Sequence, residues 1–135
     1  MDPFLPAGEI IGDKHLTRTI TIADTPGLPD GSYQFIDHYC TDKTCDCRRA
    51  IIQVFHQDEH VSTVTYGWEN EKFYTDWMRA GDDDVIAKEM SGLSLDWNSP
   101  DRVASKAMLA LVGHLMDEKW ISILKNHYRL MRKAL

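Results

Sequence analysis

A chain of 135 residues has the size of one domain and can bury a core without disulfide staples, which excludes a multidomain machine. Its 43% hydrophobic fraction, with four Trp, five Tyr and four Phe, excludes the aromatic-poor profile of a disordered segment. The net charge of −6 argues against non-specific adhesion to nucleic acid or anionic lipid, and no apolar run approaches the roughly 20 residues of a membrane-crossing helix.

Residues 1–135 read as a single domain, with 1–15 as a flexible N-terminal arm. The opening Met-Asp-Pro-Phe-Leu-Pro lacks the basic and apolar regions of a signal peptide, so a cytoplasmic protein is the expectation. Segments 16–23, 32–40, 49–56 and 61–68 are β-branched or alternate in polarity, the period of strands. The Pro- and Gly-containing stretch 25–31 is a turn, and Gln57-Asp58-Glu59-His60 a polar link, so consecutive strands predict an antiparallel meander.

The period then changes to that of helices. Residues 70–80 place Phe73, Tyr74 and Trp77 on one face, a cluster read as core between sheet and helix, and end before Gly81, which suits a C-cap. Asp82, Asp83 and Asp84 suit the start of the next helix better than a calcium loop, because they lack the alternating oxygen ligands of an EF-hand. Residues 91–99 read as a loop, and Ser99-Pro100-Asp101 as a helix start with Ser99 as N-cap. Ala104, Ala107, Met108, Leu111, Val112, Leu115 and Met116 form an amphipathic stripe. A last helix, separate from that one or continuous with it, begins near Asp117 and presents Trp120, Leu124, His127, Tyr128 and Met131. Strands followed by helices define an α+β domain: a three- to four-stranded antiparallel meander, then three to four helices packed on one face.

All three cysteines fall within His38-Tyr39-Cys40-Thr41-Asp42-Lys43-Thr44-Cys45-Asp46-Cys47. His38 and Cys40 project together from a strand, and Cys45 and Cys47 do the same if their stretch is extended. Three thiolates and one imidazole complete a tetrahedral Cys₃His zinc set, so Cys40, Cys45, Cys47 and His38 are the expected Zn²⁺ ligands. His127 or water is an alternative fourth ligand, although a histidine on the apolar side of a helix more often has its partner within the core. Arg48 and Arg49 would offset the charge of a thiolate–zinc centre, or simply begin a solvated strand. Three reduced thiols without metal, or a redox pair, are the competing readings. An iron–sulfur cluster would want a fourth cysteine.

The pattern Tyr39-Cys40-x₄-Cys45-Asp46-Cys47-Arg48-Arg49, then Tyr66-Gly67-Trp68, Phe73-Tyr74-x-x-Trp77, Glu89-Met90-x-Gly92-x-Ser94-Leu95-Asp96 and His127-Tyr128, resembles an uncharacterised prokaryotic domain associated with SEC-C motif zinc-binding proteins. The resemblance covers about residues 31–132. It implies a metal at the cysteine cluster and contacts with other proteins, and it brings no activity with it.

No Gly-x-Ser-x-Gly elbow, P-loop, Gly-x-Gly-x-x-Gly turn or zinc-deaminase signature is present, and no catalytic residue is assigned. The expectation is a non-catalytic zinc-binding domain, zinc clasping a β-hairpin, that acts as a protein-interaction module. A small cysteine-dependent redox or hydrolytic enzyme is the alternative. Lys125, Arg129, Arg132 and Lys133 make the last 15 residues basic, which complements the dipole of a C-terminal helix and only secondarily suggests a nucleic-acid patch.

Overall fold

The computed structural model describes residues 4–12, 18–81, 84–100 and 102–135. Chain order is β1 (Phe4–Pro6), α1 (Ala7–Ile11), β2 (Arg18–Ile22), β3 (Gly31–Cys40), β4 (Arg49–His56), β5 (Glu59–Gly67), α2 (Glu71–Trp77), α3 (Val85–Glu89), β6 (Gly92–Leu95), α4 (Arg102–Leu115) and α5 (Glu118–Ala134). The architecture is α+β, with an antiparallel sheet of six strands and five helices. Among the described residues no helix is long and apolar enough to cross a membrane.

The meander β3-β4-β5 follows the alternation in the sequence. Its second turn is tighter than the expected four-residue link: Gln57 and Asp58 alone join the strands, with φ of 49° and 63°, both in the left-handed region that primed hairpin turns require. The sheet has two strands beyond the four predicted, β1 and β6, while β2 falls within the predicted segment 16–23. β1 and β2 lie along successive parts of the outer edge of β3, at 38–40 and 31–35, and β6 pairs with β5. β6 lies inside the segment read as a loop. Four half-buried residues on a sheet edge show neither sustained alternation nor a β-branched run, so nothing local announces them. The stretch read as an arm contains β1 and α1, the latter packed on α5, while residues 1–3 and 13–15 of it lie outside the described residues, as do 16 and 17 of the first predicted strand.

Tyr33, Phe35, Asp37 and Tyr39 share a sheet face with Ala50, Ile52 and Val54 and with Val64, set by the registers Asp37↔Ile52 and Ile52↔Val64. α5 covers this face at β3 and β4, and α4 at β5 and β6. Met108 and Val112 from α4, and Trp120, Leu124 and Met131 from α5, complete a continuous core. Burying each such side chain contributes roughly 1.5–3 kcal/mol, which is why the 3.6-residue stripe fixes the helix orientation.

The helices do not all lie on that one face, as expected from sequence. α2 and α3 fold at the end of the sheet, and Ile86, Glu89 and Met90 border the opposite face beside Arg49, Ile51 and Thr65. Gly67 permits this fold-back: a Cβ there would stand 2.0 Å from the Met90 carbonyl oxygen and 2.6 Å from the Tyr74 hydroxyl. Tyr74 is buried, but Trp77 is 41% exposed, so only part of the predicted aromatic cluster is core.

Helix termini depart from the sequence reading in instructive ways. α2 begins with Asn70 accepting from the Phe73 N–H, and ends with Arg79, not Gly81, in the left-handed conformation. The Arg79 N–H donates to the Asp76 carbonyl and the Ala80 N–H to the Thr75 carbonyl, closing a Schellman motif two residues before the glycine. Asp84 caps α3 through the Ala87 N–H, while Asp82 and Asp83 lie outside the described residues. Among the described residues Ser99 bonds to a strand. Its hydroxyl accepts from the Thr63 N–H and donates to the Thr63 carbonyl, tying the approach to α4 onto β5, and residue 101 lies outside the described residues. α4 and α5 are separate, because the Asp117 carboxylate accepts from the Trp120 N–H and starts a new helix.

Candidate metal centre

The three cysteines come together through a tight reversal at the end of β3. The Asp42 carboxylate accepts from the Thr44 N–H at 2.9 Å and the Thr44 hydroxyl at 2.7 Å, and the Cys45 N–H donates to the Asp42 carbonyl at 3.0 Å. An Asp at the first turn position stabilises this reversal by mimicking a backbone acceptor. The chain then returns Cys45 and Cys47 to Cys40, and the three sulfur atoms lie within 4.8 Å of one another. Tetrahedral zinc with bonds of about 2.3 Å requires sulfurs about 3.8 Å apart, so a small side-chain adjustment closes them around an ion.

Cys40 and Cys47 are buried, and Cys45 is half-buried, so one side of the triangle faces solvent. Burial raises the pKa of all three thiols, with the neighbouring sulfurs adding further terms of both signs. Such thiols are protonated at neutral pH without metal, and each must release its proton to bind one.

His38 does not join this group. Its Nδ1 is 3.0 Å from the Ile36 carbonyl oxygen, and among the described residues the cluster contains the three cysteines alone. Alternate residues of a strand share a face but stand about 7 Å apart, too far for both to reach one small ion unless the side chains converge. His127 is also elsewhere: buried, it bonds through Nδ1 to Asp37 Oδ2 at 2.6 Å, and the Tyr39 hydroxyl donates to the same oxygen at 2.6 Å. It is a core histidine with a carboxylate partner, and three donors are what the described residues offer a metal here.

Arg48 and Arg49 have separate environments. Arg48 has a φ of 50°, and its guanidinium pairs with Asp46 at 2.9 Å and Glu69 at 3.5 Å while lying 4.5 Å from the Phe73 ring centroid. Its carbonyl accepts from the Tyr74 hydroxyl and the Trp68 N–H, so it joins the end of the cysteine loop to β5 and α2. Arg49 is placed differently: its buried Nε lacks a hydrogen bond among the described residues, and Tyr74, Cys47 and Asp96 are its electrostatic neighbours. Burial pulls the Arg49 pKa down against the opposing effects of Tyr74, Cys47 and Asp96.

The loop is also gripped from α5, which sequence reasoning missed. The Tyr128 hydroxyl donates to Asp46 Oδ1 at 2.8 Å and accepts from the Arg48 N–H at 3.3 Å. The Arg132 guanidinium donates to the Cys45 carbonyl and, at 3.2 Å, to the Lys43 carbonyl. The Asp46 carboxyl is held below its usual pKa, chiefly by its hydrogen bond from Arg48 and then by Tyr128 against the opposing effect of burial. Arg132 therefore does more than complement a helix dipole. No signal marks these anchors in the sequence, since each lies more than 80 positions from the loop atoms it holds.

Comparison with known proteins returns no protein family, no curated protein and no solved structure that matches the chain.

Proposed function

We propose that the chain is a small, non-catalytic zinc-binding domain in which Cys40, Cys45 and Cys47 clasp the β3–β4 hairpin around Zn²⁺, presenting its loop as a protein-interaction module. The single observation that carries this reading is the convergence of three sulfurs beside Arg49, whose buried Nε lacks a hydrogen bond among the described residues. Three thiolates on a divalent ion bear a formal charge of −1, and Arg49 would then gain a negative neighbour at Cys47 in addition to Asp96. Sulfur-rich sets suit zinc in structural sites, and three thiolates blunt the acidity that a hydrolytic metal would need.

The fourth position belongs to water or to a donor brought by a partner, on the side where Cys45 reaches solvent. His38 would have to leave the Ile36 carbonyl to fill it. A cysteine-dependent enzyme is less well supported, because a reactive thiol needs a depressed pKa and all three of these are raised.

Elemental analysis of the purified chain, with thiol titration before and after chelation, tests the proposal. The expected result is one tightly held zinc per chain, three thiols that react only after chelation, and loss of the metal in the Cys40→Ser, Cys45→Ser and Cys47→Ser variants. A metal-free chain that remains so after refolding with zinc, and one fast-reacting thiol, would establish the enzyme reading instead.

A further inference from the structure

A second site lies on the opposite side of β3 from the expected His38 ligand. The cavity between the sheet and α5 has a volume of about 360 Å³, within the range of small-molecule sites. Asp37 and His127 line it, each with a side chain more than nine-tenths buried. Their mutual hydrogen bond uses His127 Nδ1 and Asp37 Oδ2. An ionised carboxylate only accepts, so Nδ1 donates in this bond, and with the imidazole neutral Nε2 is an acceptor.

Among the described residues, neither His127 Nε2 nor Asp37 Oδ1 has a hydrogen-bond partner, and neither is a sealed, unsatisfied atom. Both belong to residues of the cavity wall. One end of the cavity therefore holds two polar atoms without a partner among the described residues, both acceptors when the imidazole is neutral.

The other end carries two cations against one acid, Asp117. Arg18 and Lys119 line it, the Arg18 guanidinium lies 4.4 Å from the Trp120 ring centroid, and no acidic partner holds it among the described residues. It also contains the N-terminus of α5, a 17-residue helix whose dipole favours anions, although Asp117 occupies the Trp120 N–H. Arg18 pairs with Phe35, two residues from Asp37 along β3, or about 7 Å. Trp120 and His127 are seven residues apart on α5, or about 10 Å. The wall between the ends includes Phe35, Ile52 and Leu124.

We propose that this cavity binds a small organic acid with a flat apolar body and a hydroxyl group at the end opposite its carboxylate. The carboxylate meets Arg18 and Lys119, the body lies against the apolar wall, and the hydroxyl donates to the Asp37–His127 pair. A ligand with an anion at one end and a donor 7–10 Å away fits both poles. An amine in place of the carboxylate fits neither the charge nor the helix terminus.

Calorimetric titration of the full chain with 3-(4-hydroxyphenyl)propanoate tests the assignment, with 3-phenylpropanoate and 4-hydroxyphenylethylamine as the probes lacking one feature each. The expected result is saturable one-to-one binding of the first, roughly tenfold weaker binding of the second, and no binding of the third. Arg18 is exposed, so Arg18→Ala keeps the fold while weakening the first probe by about tenfold and leaving the second-to-first ratio unchanged. His127→Gln, checked for folding by circular dichroism, should erase that ratio. Absence of binding at millimolar concentration, equal affinity for all three probes, or full affinity in Arg18→Ala would overturn the proposal.

Discussion

Replacing Tyr128 with Phe removes one oxygen and almost no volume, so its effect isolates the grip of α5 on the cysteine loop. Two hydrogen bonds disappear: the one donated to Asp46 Oδ1 and the one accepted from the Arg48 N–H. Asp46 has a side chain 47% exposed, so water replaces its lost donor and that term shrinks to about 1 kcal/mol. The Arg48 N–H is less accessible and contributes about 1 kcal/mol more. A total near 2 kcal/mol moves the urea midpoint by about 1 M at a typical slope.

If the loss falls mainly on the loop, zinc affinity drops by up to about thirtyfold, the same free energy read through binding. Urea melts with and without zinc, and competition with a chromogenic chelator, supply the two readouts. A double-mutant cycle with Asp46→Asn should return a coupling of about 1 kcal/mol. A coupling indistinguishable from zero, with zinc affinity unchanged, would refute the idea that α5 positions the metal loop.

Zinc affinity should fall steeply with acidification, by up to about a thousandfold per pH unit when three raised thiols must each lose a proton, and a titration between pH 6 and 8 reads the slope. Arg49→Met should change sign with metal: about 1 kcal/mol more stable without zinc, because an unsatisfied buried group is gone, but with weaker zinc binding, because the compensating cation is lost. Thermal melts of the chelated and loaded forms, with competition for zinc, distinguish the two. Gly67→Ala should cost more than about 3 kcal/mol or prevent folding, since the Met90 carbonyl is backbone and cannot yield 1 Å cheaply; soluble yield and circular dichroism decide it. Asp46 has a folded pKa below its unfolded value, so its contribution is present above the unfolded pKa and is lost as pH falls through the folded one. Asp46→Asn should therefore flatten the loss of stability below about pH 4 in acid melts.

Local periodicity carried much of the architecture. Alternation along 32–40, 49–56 and 61–68 specified strands because each has one face against the core, and the stripes at 104–116 and 120–131 specified helices for the same reason. The cysteine cluster was equally visible, since ligands at most seven positions apart need only a tight turn to converge, and Asp42 with Thr44 supplies it. Interactions closed by the whole fold had no such mark. β6 exists because β5 offers an open edge, Arg79 takes the left-handed position because the Schellman bonds close there, and Ser99 turns to Thr63 because β5 is beside it.

The histidines show the same division. Sequence placed His38 on the face of Cys40 but could not say what its ring nitrogen would meet, and the nearest acceptor was its own strand. Asp37 and His127 are 90 positions apart, and only the docking of α5 on β3 makes them a pair. Composition and spacing determined that this chain would have an α+β fold with a thiol-rich hairpin, because those features depend on neighbours in the chain. Which groups face one another across the core, and which are left without a partner, was decided by packing, because contact in a folded protein depends on distance in space.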